Sequence, residues 1–159
     1  MELLFQELTG GLTDRRRLEV IVIRLLAATI LGAIVGLQRE RAGKPAGLRT
    51  HMLVCIATAM VVLAGSGVGM TTDGLSRVIQ GIVTGIGFIG AGSILKLSHE
   101  REIKGLTTAA GLFMTAAIGV SSGVGAVGLA IIGTTLTVIV LALENVEEAW
   151  HRKNKNRIE

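Results

Sequence analysis

The chain has 159 residues, half of them hydrophobic and 18% charged, with 22 glycines, one proline, one cysteine and a formal net charge of +4. That length suits one domain, the lone Cys55 excludes an intramolecular disulfide framework, and the excess of uncharged sequence excludes an ordinary soluble globule. A helix needs about 20 apolar residues to cross the hydrocarbon core of a bilayer, so the uncharged runs decide the class.

In chain order, residues 1–17 come first, with Leu4, Phe5, Leu8 and Leu12 at helical spacing ahead of Arg15-Arg16-Arg17. This pattern predicts a short interfacial segment lying on the membrane. The first span runs from Leu18 to Gln38 and carries Arg24 about one turn in. It passes directly into Arg39-Glu40-Arg41 with no small-residue cleavage site, which excludes a signal peptide. A hairpin follows, with Lys44, Pro45, Arg49 and His51, and then uncharged runs over Met52–Thr72 and Val78–Leu95. Gly105–Leu143 lacks Asp, Glu, Lys and Arg throughout. It is too long for one span and divides at Ser121-Ser122-Gly123-Val124-Gly125.

The expected architecture is therefore all-α: a compact integral membrane bundle of five transmembrane helices over 18–143, with a charged tail at 144–159. In the tail Glu144, Glu148 and Arg152 recur at helical spacing, predicting a short helical extension. Eleven of the 16 Lys and Arg residues fall on the side of the hairpin, the link between spans three and four, and the tail. By the positive-inside rule this predicts the N-terminus outside and the C-terminus in the cytoplasm. The basicity reads as topology, so no nucleic-acid partner is expected.

Small residues recur at helix-packing intervals. Ala28, Gly32 and Gly36 are spaced by four; Gly81, Gly85 and Gly92 mark one side of span three; Gly111, Thr115, Gly119 and Gly123 do so in span four. Such spacing lets helix backbones approach closely within lipid. Gly85-Ile86-Gly87-Phe88-Ile89-Gly90 matches G-x-G-x-x-G, but it lies mid-span with no strand before it, so it reads as helix packing. Thr107 and Thr108 read as capping and packing residues of span four.

Asp73, Arg77, Gln80 and Thr84 form one polar stripe entering span three. A polar line in a membrane helix is expected to face protein or water. Two readings stand together: a structural set, with Asp73 capping the helix, Arg77 pairing with it and Gln80 bonding a neighbour, or a functional polar site. Arg24 either snorkels to the interface or meets Asp73. His51 reads as an interfacial polar residue and not a metal ligand, since no second His or Cys lies at ligand spacing. The hairpin residues Arg39, Glu40, Arg41, Lys44, Arg49 and His51 read as a docking surface.

Three segments in order are similar to the amino-terminal membrane domain of the MgtC/SapB family. They are Arg24 with Gly36-Leu37-Gln38-Arg39-Glu40-Arg41 and Gly43 to His51; Asp73, Arg77, Gln80 and Gly85 to Gly92; and Gly105-Leu106-Thr107-Thr108-Ala109-Ala110-Gly111. The resemblance implies a bacterial inner-membrane protein linked to low magnesium, acid tolerance or survival inside host cells. It implies a regulatory role, with the proton-translocating ATP synthase as one membrane-protein partner. Longer members carry an ACT-like carboxy-terminal domain, and this chain is expected to be a short member without it.

Two function classes follow: a regulator that binds another membrane complex, alone or as a homo-oligomer, and an ion carrier for Mg2+ or protons that uses the span-three stripe. An enzyme is not expected, for no nucleophile and base, metal cluster or phosphate loop stands in a suitable setting. No cofactor or metal site is expected either.

Overall fold

The computed structural model describes residues 15–97 and 102–155, with backbone alone for 95–97, 102–103 and 144–155. The interfacial segment expected at 1–14 lies outside the described residues. Five helices run in the order α1 (Arg15–Arg41), α2 (Leu48–Gly67), α3 (Thr72–Gly92), α4 (Leu106–Val124) and α5 (Val127–Lys155). Between α3 and α4 stand two short strands, β1 (Leu95–Leu97) and β2 (Glu102–Lys104), paired antiparallel with Leu95 opposite Lys104 and Leu97 opposite Glu102. The sequence reading had placed only a charged link there.

Helices α1 to α4 are each long and apolar enough to cross a membrane. Helix α5 contributes the shorter apolar stretch Val127–Leu143. At 1.5 Å per residue that stretch is about 26 Å, the lower end of what spans a bilayer. The chain is an all-α membrane bundle, and its outward side chains are mostly large aliphatics, as lipid requires.

Helices α1, α2 and α4 form the centre. Helix α1 packs most extensively on α2, and α2 on α4; α5 covers α4 and α1, while α3 lies against α4 and, less, α2. The close approach follows from the small residues. A Cβ on Gly32 would lie 2.8 Å from the Cys55 Cβ, and one on Gly36 would lie 2.7 Å from the Leu48 Cα. A Cβ on Gly123 would come 2.8 Å from the Ala59 carbonyl oxygen. Inside lipid, where no hydrophobic drive pulls helices together, this backbone proximity supplies the packing attraction.

Two glycines shape the chain reversals. Gly125, at φ +93°, ends α4 and starts the turn into α5, in the left-handed region that only glycine enters freely. Gly105, at φ +99°, sits where any Cβ would collide with the Ser93 carbonyl.

Two arginines of α1 fasten the end of the bundle at which α2 and α4 finish. Arg17 Nη2 donates to the Gly67 carbonyl at the end of α2, and Arg24 Nη1 donates to the Gly123 carbonyl near the end of α4, at 2.8 Å. Both neutralise the negative end of a helix. Among the described residues Arg24 therefore bonds the end of α4 and makes no ion pair with Asp73.

Candidate functional site

The hairpin between α1 and α2 is a folded element. Backbone bonds from Ala42 to Gln38, Gly43 to Glu40 and Lys44 to Arg39 close its first turn. Glu40 Oε2 accepts from the Leu48 amide at 2.8 Å and so satisfies an orphan N–H at the start of α2. Gly43 has φ +66°, and Ala46 has φ +56°, left-handed backbone that costs an alanine about 1–2 kcal/mol. Such strain persists only where surrounding contacts fix the chain.

Those contacts come from two residues expected on the surface. Arg39 and His51 were read as docking residues, yet Arg39 is 1% exposed and His51 0%. The correction has a geometric cause: both point to the interior of the α1–α2–α4 centre, where α4 offers hydroxyls. Arg39 Nη2 donates to Thr108 Oγ1 at 2.8 Å, and His51 Nδ1 lies 2.6 Å from Thr115 Oγ1. Thr108, Gly111 and Thr115, at i, i+3 and i+7, present one buried face of α4 to these groups. Gly111 lies beside the imidazole, where a Cβ would stand in ordinary contact at 3.7 Å from the His51 Cε1.

The hydroxyl of Thr115 donates to the Gly111 carbonyl at 2.9 Å, so it accepts from His51 Nδ1–H. With the proton on Nδ1 in this arrangement, Nε2 is the ring's acceptor. Among the described residues that atom and Gln38 Oε1 are buried acceptors without a hydrogen-bond partner. The seam is thus rich in polar groups deep in the bundle, a setting that marks functional residues in membrane proteins.

Of the remaining hairpin residues, Glu40, Arg41 and Arg49 are exposed and Lys44 is half-buried. They flank Pro45, itself exposed, on one end of the bundle.

The span-three stripe lies elsewhere. Asp73, Arg77, Gln80 and Thr84 are all exposed on the outer face of α3, opposite the buried Ile86 and Gly90. Among the described residues the expected internal contacts are absent. Thr71, not Asp73, caps α3, its side chain accepting from the Gly74 amide at 3.3 Å. Among the described residues neither Asp73 nor Arg77 has an ion-pair partner. Gly81, Gly85, Gly87 and Gly92 likewise meet nothing within 4 Å, so they do not pack within the chain as expected, while Gly90 contacts Ala109. The reason is that α3 has neighbours on one side only, and its hydrophobic side occupies them. Thr107 is exposed and only Thr108 is buried.

A family model described as MgtC family matches residues 25–150, a range that holds both the buried seam and the stripe. The chain belongs to the MgtC family. Among relatives in this family, Protein SrpB of Synechococcus elongatus is 39% identical over 85% of this chain and 81% of its own length. The putative magnesium transporter YhiD of Escherichia coli is 42% identical over 85% of this chain, which spans 65% of that protein. Protein MgtC of Salmonella typhimurium is 39% identical over 84% of this chain, which spans 55% of it. No solved structure matches the chain.

The sequence singled out the hairpin but misjudged which way Arg39 and His51 face. Thr115 appeared only as a small packing residue, and nothing in its local sequence signals a histidine partner 64 residues away. The signal available was its i+7 spacing from Thr108, on a face otherwise made of glycine.

Proposed function

We propose that this MgtC-family protein is a regulator of the bacterial inner membrane that works by docking its hairpin against another membrane complex, such as the proton-translocating ATP synthase. In this reading the N-terminus is outside and the hairpin is cytoplasmic, where Arg41, Lys44 and Arg49 meet an acidic partner surface. Its setting is adaptation to stress: low magnesium, acid, or survival inside a host cell.

The observation that carries the reading is the hairpin's construction. Glu40 caps α2, Ala46 holds left-handed backbone, and the buried Arg39 and His51 anchor both ends while Arg41 and Arg49 stay exposed. A preorganised loop loses little entropy on binding, which favours recognition over mere solubilisation. The carrier alternative draws on the name of the Escherichia coli relative. It needs oxygen ligands along a path, and Mg2+ prefers carboxylates with several waters. The stripe that would supply them lies on the outer face of α3, so one chain does not enclose such a path.

A photo-crosslinking residue at the exposed Pro45, in native membranes, tests the docking reading. It expects an adduct with another membrane protein that the pair Arg41→Glu and Arg49→Glu abolishes. Recovery of this chain alone rejects it. Magnesium or proton flux in liposomes that Asp73→Asn removes would establish the carrier instead.

A further inference from the structure

We propose that a second copy of this chain packs against the outer face of α3, in a parallel pair whose two-fold axis runs along the membrane normal. The starting point is a mismatch between this face and the rest of the lipid-facing surface. Elsewhere the exposed residues along the spans are mostly aliphatic, as with Ile23, Leu26 and Ile30 on α1 and Leu129, Ile132 and Leu136 on α5, with isolated hydroxyls such as Thr135 bonded to their own helix. On α3 the exposed line is Asp73, Arg77, Gln80 and Thr84, continued by Gly87 and Ala91. Only 11% of the apolar window of α3 is buried in the chain, against 50% for α4.

The stripe reaches deep. Counting about 1.5 Å per residue from Thr72, Gln80 lies roughly 12 Å and Thr84 roughly 18 Å along a helix of about 31 Å. Snorkelling brings Arg77 to the interface but does nothing for a glutamine at that depth. Polar side chains so placed face protein or a water-filled space.

The pattern of charge selects the occupant. Asp73 and Arg77 have opposite signs one turn apart on one face, and neither has an ion-pair partner among the described residues. A two-fold contact requires a surface complementary to itself. With two α3 helices side by side, each Asp73 lies level with its counterpart, and the other chain's Arg77, at an axial offset of about 6 Å that an arginine side chain spans, reaches it diagonally and offsets the like charges. The two Gln80 amides meet near the axis, each able to donate to and accept from the other. Gly87 and Ala91, and Gly81 beside the stripe, let the backbones close in. A lipid headgroup would match Arg77 but leave the Gln80 side-chain amide against acyl chains, whereas the Thr84 hydroxyl already donates to the Gln80 carbonyl. This contact is independent of the hairpin, which lies at the other end of α1 and α2 from the start of α3.

Disulfide mapping in native membranes tests the pair. In a Cys55→Ala background, single changes Gln80→Cys, Thr84→Cys and Gly87→Cys should give a dimer band on mild oxidation. Val83→Cys and Ile89→Cys, exposed on the flanks of α3, should give little. All five sites are outside the packed centre, and membrane accumulation at wild-type level confirms folding. In the Thr84→Cys chain, Asp73→Arg or Arg77→Asp should each reduce the band, and the two together should restore it. Equal crosslinking at all five sites, no band at the stripe, or stripe crosslinks only to a different protein would overturn the proposal, and so would failure of the charge swap to restore the dimer.

Discussion

The imidazole of His51 on α2 bonds the hydroxyl of Thr115 on α4 at 2.6 Å, with both residues fully buried. This bond joins the start of α2, and so the hairpin, to the middle of α4. With Arg39 on Thr108 it makes the hairpin's posture depend on packing inside the membrane.

Thr115→Val keeps the shape but removes the acceptor for His51 Nδ1–H. Leaving that donor unsatisfied in the interior should cost about 1–3 kcal/mol. Thermal unfolding in detergent micelles would show it as a lowered midpoint, with Thr115→Ser closer to the wild-type value.

Two glycine substitutions should behave oppositely. Gly36→Val drives a side chain into the α2 backbone at Leu48, whose atoms cannot move aside, and the protein should fail to accumulate in the membrane. Gly85→Ala meets nothing within 4 Å and should be tolerated, with a gain of about 0.4–1 kcal/mol from a less flexible unfolded chain. Immunoblots of membrane fractions and melting curves separate the two outcomes.

Arg24→Ala removes the charged donor at the Gly123 carbonyl and the guanidinium packed on Gly125. The expected loss is about 1.5–3 kcal/mol, the range for a hydrogen bond to a charged group. Increased labelling of a cysteine placed at Ser122 would report the loosened end of α4.

Glu40→Ala leaves the Leu48 amide uncapped, at a cost of about 0.5–2 kcal/mol. The effect should concentrate in the hairpin, so limited proteolysis at Lys44 or Arg49 should quicken while the bundle core stays resistant. Glu40→Gln retains an acceptor oxygen and should fall between.

Some of this was legible before the structure. The run lengths of uncharged sequence gave the helices, because crossing a bilayer is a one-dimensional demand that each segment meets alone. The spacing of Gly32, Gly36, Gly119 and Gly123 matches the packing they make, because small residues every fourth position let backbones approach. The pairing of Leu95–Leu97 with Glu102–Lys104 was missed, since three residues are too few for an alternation to show.

The facing of individual residues was not legible. By sequence, Arg39 and His51 belong to a charged loop, while Gly81, Gly85 and Gly92 belong to a packing stripe like any other. Which side of a helix is covered depends on where its neighbours lie, and that is fixed by all five helices at once. The sequence by itself determined the class, the spans and the family signature, through hydropathy and local spacing. Only the tertiary arrangement turned Arg39 and His51 inward to the threonines of α4 and left Asp73, Arg77 and Gln80 outward on α3. The physical reason is that a buried polar group takes its place from partners far along the chain.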